Sequence, residues 1–237
     1  MIYGVTFNRD DASRHTYTDW GLLQVGASYV SPPVVQTRYI NVPGMDGFLD
    51  ATEALDGMVH YNSRQFVAKY KCIAPRDQWP VIYSDLMNFI HGRQMHATFD
   101  DDDRYYINGR FEVGSPAYQK YAWTVDITGE IDPYKYMLYD TIGEWEWDPF
   151  RFATDIAWDY KDIEVSGMTE VIVSATPMPV SPTFTCSAPL TLHLDGKIYN
   201  LPAGVSTVPG LVIKDRDYSF QFSGTGTVTI YFRGGKL

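Results

Sequence analysis

The sequence has little that would support a disulfide framework, a zinc site or a membrane span. Its 237 residues include only two cysteines, Cys72 and Cys186, and neither lies in a CxxC or CxxH spacing. This predicts two buried thiols in a reducing compartment. No window approaches the roughly 18 consecutive apolar residues of a membrane span. The first residues, MIYGVTFNRDD, lack the basic and apolar regions of a signal peptide, so we expect a soluble protein made in the cytoplasm.

Positive charge is also scarce. The chain has 19 Lys and Arg against 29 Asp and Glu, which gives a formal net charge of −10. Stable binding to nucleic acid depends on Lys and Arg that displace counterions from phosphates, so the balance argues against it. Solubility alone explains the acidity, although DNA that slides past an acidic surface without sticking is compatible with it.

Motifs that carry catalysis are missing. The sequence has no GxSxG, HExxH or GxGxxG, and no Gly-rich loop before Lys-Ser or Lys-Thr. The run from Asp100 to Asp103 fails as a calcium loop, because Tyr105 and Phe111 stand where Gly and Glu are needed. We interpret the run as a solvated hairpin tip. His91 and His96 have no third ligand nearby in sequence. We therefore predict no enzyme, no catalytic or metal-binding residues and no cofactor.

Alternation of apolar and polar residues predicts antiparallel β-strands with one buried face. Aromatic residues, which favour strands, make up 15% of the chain. Three segments show the pattern clearly: residues 65–71 (Phe66, Ala68, Tyr70), 105–113 (Tyr105, Ile107, Phe111, Val113) and 121–129 (Tyr121, Trp123, Val125, Ile127).

One segment has helical spacing instead. From residue 77 to residue 91, apolar side chains recur every three or four positions, namely Trp79, Ile82, Leu86, Phe89 and Ile90. We expect Asp77 to cap the start and Pro80 to fit in the first turn. Gly92 lies where a left-handed residue often ends a helix.

The chain changes character near residue 140, where alternation stops and aromatic residues become dense. The cluster consists of Trp145, Trp147, Phe150, Phe152 and Trp158. These rings either pack two domains together, which is the favoured interpretation, or stack on sugar rings as in lectins. Beyond them, Asp195 and Gly196 predict a type I′ hairpin turn. Further alternation around Tyr218 and Val228 predicts a small β-sandwich.

Several motifs, in order, resemble the distal tail protein (Dit) family of long-tailed bacteriophages. The motifs are Trp20-Gly21-Leu22, the Pro-Gly-x-Asp-Gly-x-x-Asp pattern at Pro43, Gly44, Asp46, Gly47 and Asp50, then Asn62 and Arg64, His91-Gly92, Tyr106 to Arg110, and Trp147 to Thr154. They cover about 155 residues. The last 80 residues match in strand rhythm and in the closing VTIYFRGG, and they leave no room for an inserted carbohydrate-binding module.

The resemblance implies a mainly β protein with one helix. An N-terminal belt β-sandwich with a long hairpin would occupy residues 1–139, an aromatic-rich linker residues 140–160, and a C-terminal galectin-like β-sandwich residues 161–237. It also implies a homo-hexameric ring at the tail tip of a virion, assembled in the host cytoplasm. The tail tube protein would stack on one side and the hub protein on the other, with receptor-binding or baseplate proteins outside. A central channel would let DNA pass.

The stretch VPGMDGFLD, residues 42–50, is the candidate ring-interface hairpin. Pro43 stiffens a bend, Gly44 and Gly47 permit unusual backbone angles, and Asp46 and Asp50 can accept bonds from nearby amides. We interpret the stretch as a bent connection that aims the following segment at a neighbouring subunit. An ordinary long hairpin turn is an equally good alternative.

Two other functions remain open from the residues alone. A carbohydrate-binding β-sandwich would use the aromatic cluster of residues 145–158. A glycosidase would need a pair of carboxylates, and the sequence selects no pair among its 29 acidic residues.

Overall fold

In the part of the chain that the structure describes, the protein is mainly β with one α-helix, as predicted. A computed structural model describes residues 4–9, 12–26, 29–138 and 160–237. No helix within these ranges combines the length and the apolar character needed to cross a membrane.

The chain divides into two compact units. The first contains the described parts of residues 1–102 and 107–133, and the second contains residues 103–106 and the described parts of 134–237. The predicted boundary after residue 139 lies outside the described residues, as does the predicted linker 140–160 apart from Tyr160.

The first unit contains an antiparallel sheet in the order β2-β1-β8-β9-β11-β7-β3, with β4 paired to β7 and β10 to β11. A separate two-stranded sheet pairs β5 with β6. The strands are β1 (Val5–Asn8), β2 (Ser13–His15), β3 (Leu22–Gln24), β4 (Tyr29–Val30), β5 (Tyr39–Ile40), β6 (Leu49–Asp50), β7 (Arg64–Cys72), β8 (Arg93–Phe99), β9 (Tyr105–Val113), β10 (Ala117–Tyr118) and β11 (Trp123–Ile131).

The helix α1 spans Trp79–Ile90 and follows a 3-10 turn at Arg76–Gln78. The prediction that Asp77 caps the helix is wrong, because Asp77 lies within the 3-10 turn and no side chain caps α1. Pro80 occupies the first turn, and Gly92 has a φ of 72°, both as predicted. The helix buries Trp79, Leu86, Phe89 and Ile90.

The predicted alternation is confirmed in β7 and β9, where every second side chain is buried. The third strand begins later than predicted. Tyr121 lies in the turn between β10 and β11, which the N–H of Gln119 closes by donating to the oxygen of Ala122. Tyr121 is 83% exposed. The prediction extended this strand into the turn because Tyr121 continues the alternation of apolar residues.

The core of the first unit is aromatic. Phe7, Phe66 and Phe111 meet edge to face, with centroid distances of 5.1 Å for Phe7–Phe111 and 5.5 Å for Phe66–Phe111. Trp20 joins the early loop to α1, because its indole Nε1 donates to Asp85 at 2.7 Å.

The second unit contains a sheet in the order β16-β15-β18-β14-β17, with β13 paired along β18. β12 pairs with β19 and with Tyr105 and Tyr106. The strands are β12 (Lys135–Met137), β13 (Ile163–Ser174), β14 (Thr183–Cys186), β15 (Leu190–Leu194), β16 (Lys197–Leu201), β17 (Gly204–Thr207), β18 (Asp217–Tyr231) and β19 (Gly235–Lys236).

The turn prediction in this unit is confirmed. Asp195 and Gly196 have φ angles of 50° and 75° between β15 and β16, which confirms the type I′ turn. The glycines at 224 and 226 lie inside one continuous strand, β18. Ahead of them β18 pairs with β15, and after them it pairs with β14. The glycines allow the strand to bend where it changes partner.

Both cysteines are buried and free, and burial raises the pKa of each thiol. They pack as small apolar side chains.

Candidate functional site

An arm, defined as residues 34–61, leaves the sheet of the first unit between β4 and β7. The arm is a hairpin held by its own backbone: Val35 and Tyr61 form a bridge, and Gln36 N donates to His60 O at 2.8 Å. Farther out, Ala51 N donates to Arg38 O at 2.8 Å, and β5 pairs with β6. No side chain between residues 34 and 61 is buried. The arm therefore has hydrogen bonds but no core of its own.

The predicted hairpin residues lie at the tip of the arm. Met45 N donates to Val42 O at 3.1 Å, and Gly44, which follows Pro43, has a φ of 82°. This is the pattern of a type II turn. Gly47 has the same φ of 82°. The loop is thus two bends in succession, each of which needs a glycine.

The two acidic residues of the tip differ. Asp50 accepts a hydrogen bond from the backbone N–H of Thr52 at 2.9 Å, as predicted. Asp46 makes no hydrogen bond or ion pair with any described residue, so the predicted amide contact is wrong for this side chain. Its carboxylate is exposed and available for another molecule.

Large apolar side chains cover the arm. Phe48 is 65% exposed and Leu55 is 89% exposed. Within the arm, Tyr39 and Phe48 form a ring contact, with centroids 6.1 Å apart. The exposed set comprises Val34, Val35, Tyr39, Ile40, Met45, Phe48, Leu49 and Leu55. An isolated hairpin is marginally stable in water, and contiguous exposed apolar surface marks an interaction site.

Two carboxylates stabilise the arm locally. The Thr52 hydroxyl, and then its backbone N–H, lowers the pKa of Asp50. The N–H of Met58 is the largest influence that lowers the pKa of Asp56, and His60 contributes through its contact at 2.9 Å. Both carboxylates therefore favour the folded arm while they are ionised.

Acid is expected to loosen the arm before it unfolds either unit. A carboxylate whose pKa is lower in the folded state stabilises that state at pH values above its ordinary pKa, which is 3.8 here. This stabilisation is lost as the pH falls through the pKa of the folded state. Amide hydrogen exchange of residues 34–61 should therefore accelerate below about pH 4 relative to β7 and β9. Asp50→Asn should reduce this acceleration of hydrogen exchange in acid, whereas Asp46→Asn, which removes an unbonded carboxylate, should leave it unchanged. An arm that is equally protected in acid and near neutral pH would contradict the expectation.

The other predicted residues have simple structural roles or lie outside the described residues. The run from Asp100 to Asp103 lies in the turn between β8 and β9 and is exposed or half-buried, which agrees with the predicted solvated tip. Asp100 Oδ2 also accepts a hydrogen bond from Gly4 N at 2.7 Å and lies 3.1 Å from His15 Nε2. His91 Nδ1 accepts from Val113 N at 3.1 Å. The described residues contain no group of three or more His, Cys, Asp or Glu arranged to hold a metal. Trp145, Trp147, Phe150, Phe152 and Trp158 all lie outside the described residues, so their packing role stays a prediction.

Sequence reasoning missed a cleft at the base of the arm. It is open, has a volume of about 850 Å³, and is bordered by β7, β9 and β11. Arg64 lines it and is almost fully buried, since only 7% of its surface is exposed. The sequence offered one signal, an arginine on the apolar face of an alternating strand.

Comparison with known proteins supports the fold. No protein-family model matches the sequence, and no curated protein matches it. Among solved structures, the crystal structure of the Dit protein (gp 19.1) of SPP1 is similar over 100% of both chains, with a TM-score of 0.64 and 15% sequence identity. That protein has been described as a paradigm of the hub adsorption apparatus in phages that infect Gram-positive bacteria. The described residues of the chain thus have a Dit-like fold.

Proposed function

We propose that this chain is a structural protein of a phage tail tip, in which six copies close into a ring that joins the tail tube to the hub. The observation that carries the proposal is the likeness of fold to the SPP1 hub protein over the whole of both chains. A likeness confined to one unit would be compatible with a common β module. The proposed role is geometric and involves no catalysis.

The arm supplies the physical reason for a ring. Its apolar side chains are exposed, and Asp46 makes no hydrogen bond or ion pair with any described residue, so a neighbouring copy can supply partners for both. A patch on one copy that fits a different patch on the next copy forms a head-to-tail contact, and such contacts close into a ring when the rotation is fixed. We propose that the bends at Pro43, Gly44, Asp46, Gly47 and Asp50 set that rotation.

The two parts of the chain would have different roles in the ring. Residues 1–139 would form the belt that closes the ring, with the tail tube protein on one side and the hub protein on the other. Residues 161–237 would form the outward galectin-like domain, to which receptor-binding or baseplate proteins attach.

A ring of this kind would leave a central channel for DNA. The net charge of −10 per chain favours passage without adhesion, because like charges repel the phosphate backbone. A reconstruction of the assembled ring should therefore show a channel of negative potential, and a neutral or positive lining would contradict this part of the proposal.

The mass of the purified protein tests the proposal directly. A hexamer of the 27.0 kDa chain has a mass of about 160 kDa, which light scattering after gel filtration separates from a monomer. Electron microscopy of the same fraction should show closed rings. A chain that stays monomeric at all concentrations, or that turns over a substrate, would contradict the proposed function.

Replacing Gly44 and Gly47 together with valine is expected to convert rings to monomers. Both residues have a φ of 82°, which a β-branched residue adopts only with strain of about 1–2 kcal/mol each. A Cβ added at either position would meet no other atom within 4 Å, so the change acts on backbone angle alone. Light scattering gives the readout.

The matched control is the double variant Gly204→Val and Gly210→Val. These glycines also have positive φ and open surroundings, but they lie in the second unit. The control should assemble normally, and a hexameric Gly44/Gly47 variant would show that the bends do not set the contact.

A further inference from the structure

The arm contains two of the three Asp-Gly sequences in the chain, and the one at its tip is the least restrained. The three are Asp46-Gly47, Asp56-Gly57 and Asp195-Gly196. Asp46 and Gly47 are both exposed. The Asp46 carboxylate makes no hydrogen bond or ion pair with any described residue, and neither the backbone N–H nor the C=O of the two residues bonds to one.

An Asp-Gly sequence carries an electrophile and a nucleophile on neighbouring residues. The backbone nitrogen of the glycine can attack Cγ of the aspartic acid, because glycine has no side chain that blocks the approach. The N–Cγ bond forms, a Cγ–O bond breaks, and the departing hydroxyl takes the amide proton and leaves as water. The product is a five-membered succinimide ring. Since both groups belong to one chain, the reaction needs only rotation about single bonds to bring them together.

Water then opens the ring at one of its two carbonyl carbons. Attack at Cγ restores aspartate. Attack at the main-chain carbonyl carbon breaks its bond to nitrogen and leaves a carboxylate on Cα, so the main chain now runs through Cβ and Cγ as an isoaspartyl linkage. One water leaves and one enters, so the reaction conserves mass and charge and requires no other reactant.

The tip of the arm leaves this rotation open at Asp46. The turn bond from Met45 N to Val42 O closes before Asp46, and β6 begins after it, at Leu49. Gly47 has a φ of 82°, and a Cβ added there would meet no other atom within 4 Å. Bringing Gly47 N onto Cγ of Asp46 therefore breaks no hydrogen bond and displaces no neighbour.

The second Asp-Gly sequence of the arm is restrained at both reacting groups. Asp56 Oδ1 accepts from Met58 N at 3.0 Å, and its Oδ2 lies 2.9 Å from His60 Nε2. The attacking nitrogen is also engaged, because Gly57 N donates to Glu53 O at 2.8 Å. All three contacts must break before the ring can form.

The third Asp-Gly sequence has an intermediate restraint. Asp195 Oδ2 accepts from Arg216 Nη2 at 2.6 Å, so one strong contact holds the carboxylate. The three sequences thus share the same chemistry and differ in the number of contacts that oppose it.

We propose that Asp46-Gly47 is a self-modification site, at which the unassembled chain converts Asp46 to isoaspartate through a succinimide. The conversion inserts one atom into the main chain between the bends at Gly44 and Gly47. A further consequence rests on the proposed ring: a chain with this insertion directs its tip differently, so unmodified chains enter the ring preferentially.

Incubating the full chain in neutral buffer made with heavy-oxygen water tests the modification. Every opening of a succinimide leaves a heavy oxygen atom in that residue, and digestion in ordinary water followed by tandem mass spectrometry locates it. Label should enter at Asp46 first, at Asp195 more slowly, and at Asp56 about tenfold or more slowly than at Asp46, because local opening must first break the restraining hydrogen bonds.

Two controls separate structure from intrinsic chemistry. In urea, all three sequences lose their restraints and should take up label at similar rates. Asp46→Glu keeps the charge but would require a less favourable six-membered ring, so it should abolish label at position 46 and leave Asp56 and Asp195 unchanged. Equal labelling of Asp46 and Asp56 in the folded protein would overturn the proposal, as would a folded chain that takes up no label at Asp46 while the chain in urea does.

The consequence for assembly has its own measurement. A methyltransferase that recognises only isoaspartyl carboxylates counts modified chains in the monomer and ring fractions after gel filtration, and the monomer fraction should be enriched several-fold. Equal content in the two fractions would overturn the link to assembly, whereas the labelling of Asp46 would stand. A chain that never assembles would overturn the proposed ring, and the order of labelling at the three sequences would still decide the modification.

Discussion

Replacing Tyr39, Phe48 and Leu55 with serine is expected to turn the assembled protein into monomers without unfolding it. All three side chains are more than half exposed, and they belong to no core cluster. Exposed substitutions usually change the free energy of unfolding by no more than about 0.5 kcal/mol each. We therefore expect the Tm of the monomer to fall by less than about 5 °C.

The effect on assembly should be large because apolar area is lost at every contact of the ring. Burying a large apolar side chain contributes about 1.5–3 kcal/mol, so three truncations weaken each contact by several kcal/mol. At micromolar concentration this is expected to leave no detectable ring. Sedimentation velocity measures the distribution of species directly.

The matched control replaces exposed apolar residues in the second unit with serine, namely Met168, Ile172 and Ile198. This variant should assemble like the wild type. If both triple variants lose the ring, any loss of exposed apolar area produces the effect, and if neither does, the arm does not form the contact.

Gly109→Ala is expected to destabilise the first unit more than any exposed substitution. Gly109 pairs with Ile131 between β9 and β11. A Cβ at this position would lie 2.4 Å from Glu130 O and 2.7 Å from Ile131 Cα. Both are backbone atoms of a paired strand, so the strands must separate to admit one methyl group.

We expect a loss of about 3 kcal/mol in the free energy of unfolding, the upper part of the range for overpacked interiors. This corresponds to a Tm lower by about 10 °C for a unit of this size, which calorimetry resolves.

Two further glycines test the same explanation at positions where the added Cβ meets less resistance. At Gly129 the nearest obstacle, at 2.7 Å, is the Phe111 ring, a side chain that can shift, so Gly129→Ala should cost less. At Gly114 the nearest atom is 3.2 Å away, and Gly114→Ala should have a small effect. Equal Tm values for the three variants would show that close approach of the backbones does not explain these glycines.

Much of the fold was predictable because local patterns agree with their tertiary surroundings. In β9, Tyr105, Ile107, Phe111 and Val113 alternate in sequence and are all buried in the structure. The spacing of Trp79, Leu86 and Phe89 likewise matches the buried face of α1. Asp195 and Gly196 form the predicted turn because few other residues adopt its positive φ angles.

A local pattern is ambiguous where it fits both a strand and a turn. Tyr121 continues the alternation of β11 two residues before Trp123, but it lies in a turn. An aromatic residue at this position fits the strand pattern whether or not the strand extends that far. The glycines at 224 and 226 have turn composition but lie within β18, where two successive partners hold the strand. Only the pairing of distant strands decides these cases.

The candidate site shows the same division. Composition and residue spacing alone determined that this is an acidic, mainly β protein with a helix near residues 77–91, and Pro43, Gly44 and Gly47 predicted a bend within residues 42–50, because these properties depend on neighbours in sequence. Only the tertiary structure decided that the arm lies outside the core with its apolar side chains exposed, and that Arg64 is buried at its base with no partner among the described residues. Burial depends on which distant strands pack over a residue, and no local pattern specifies that.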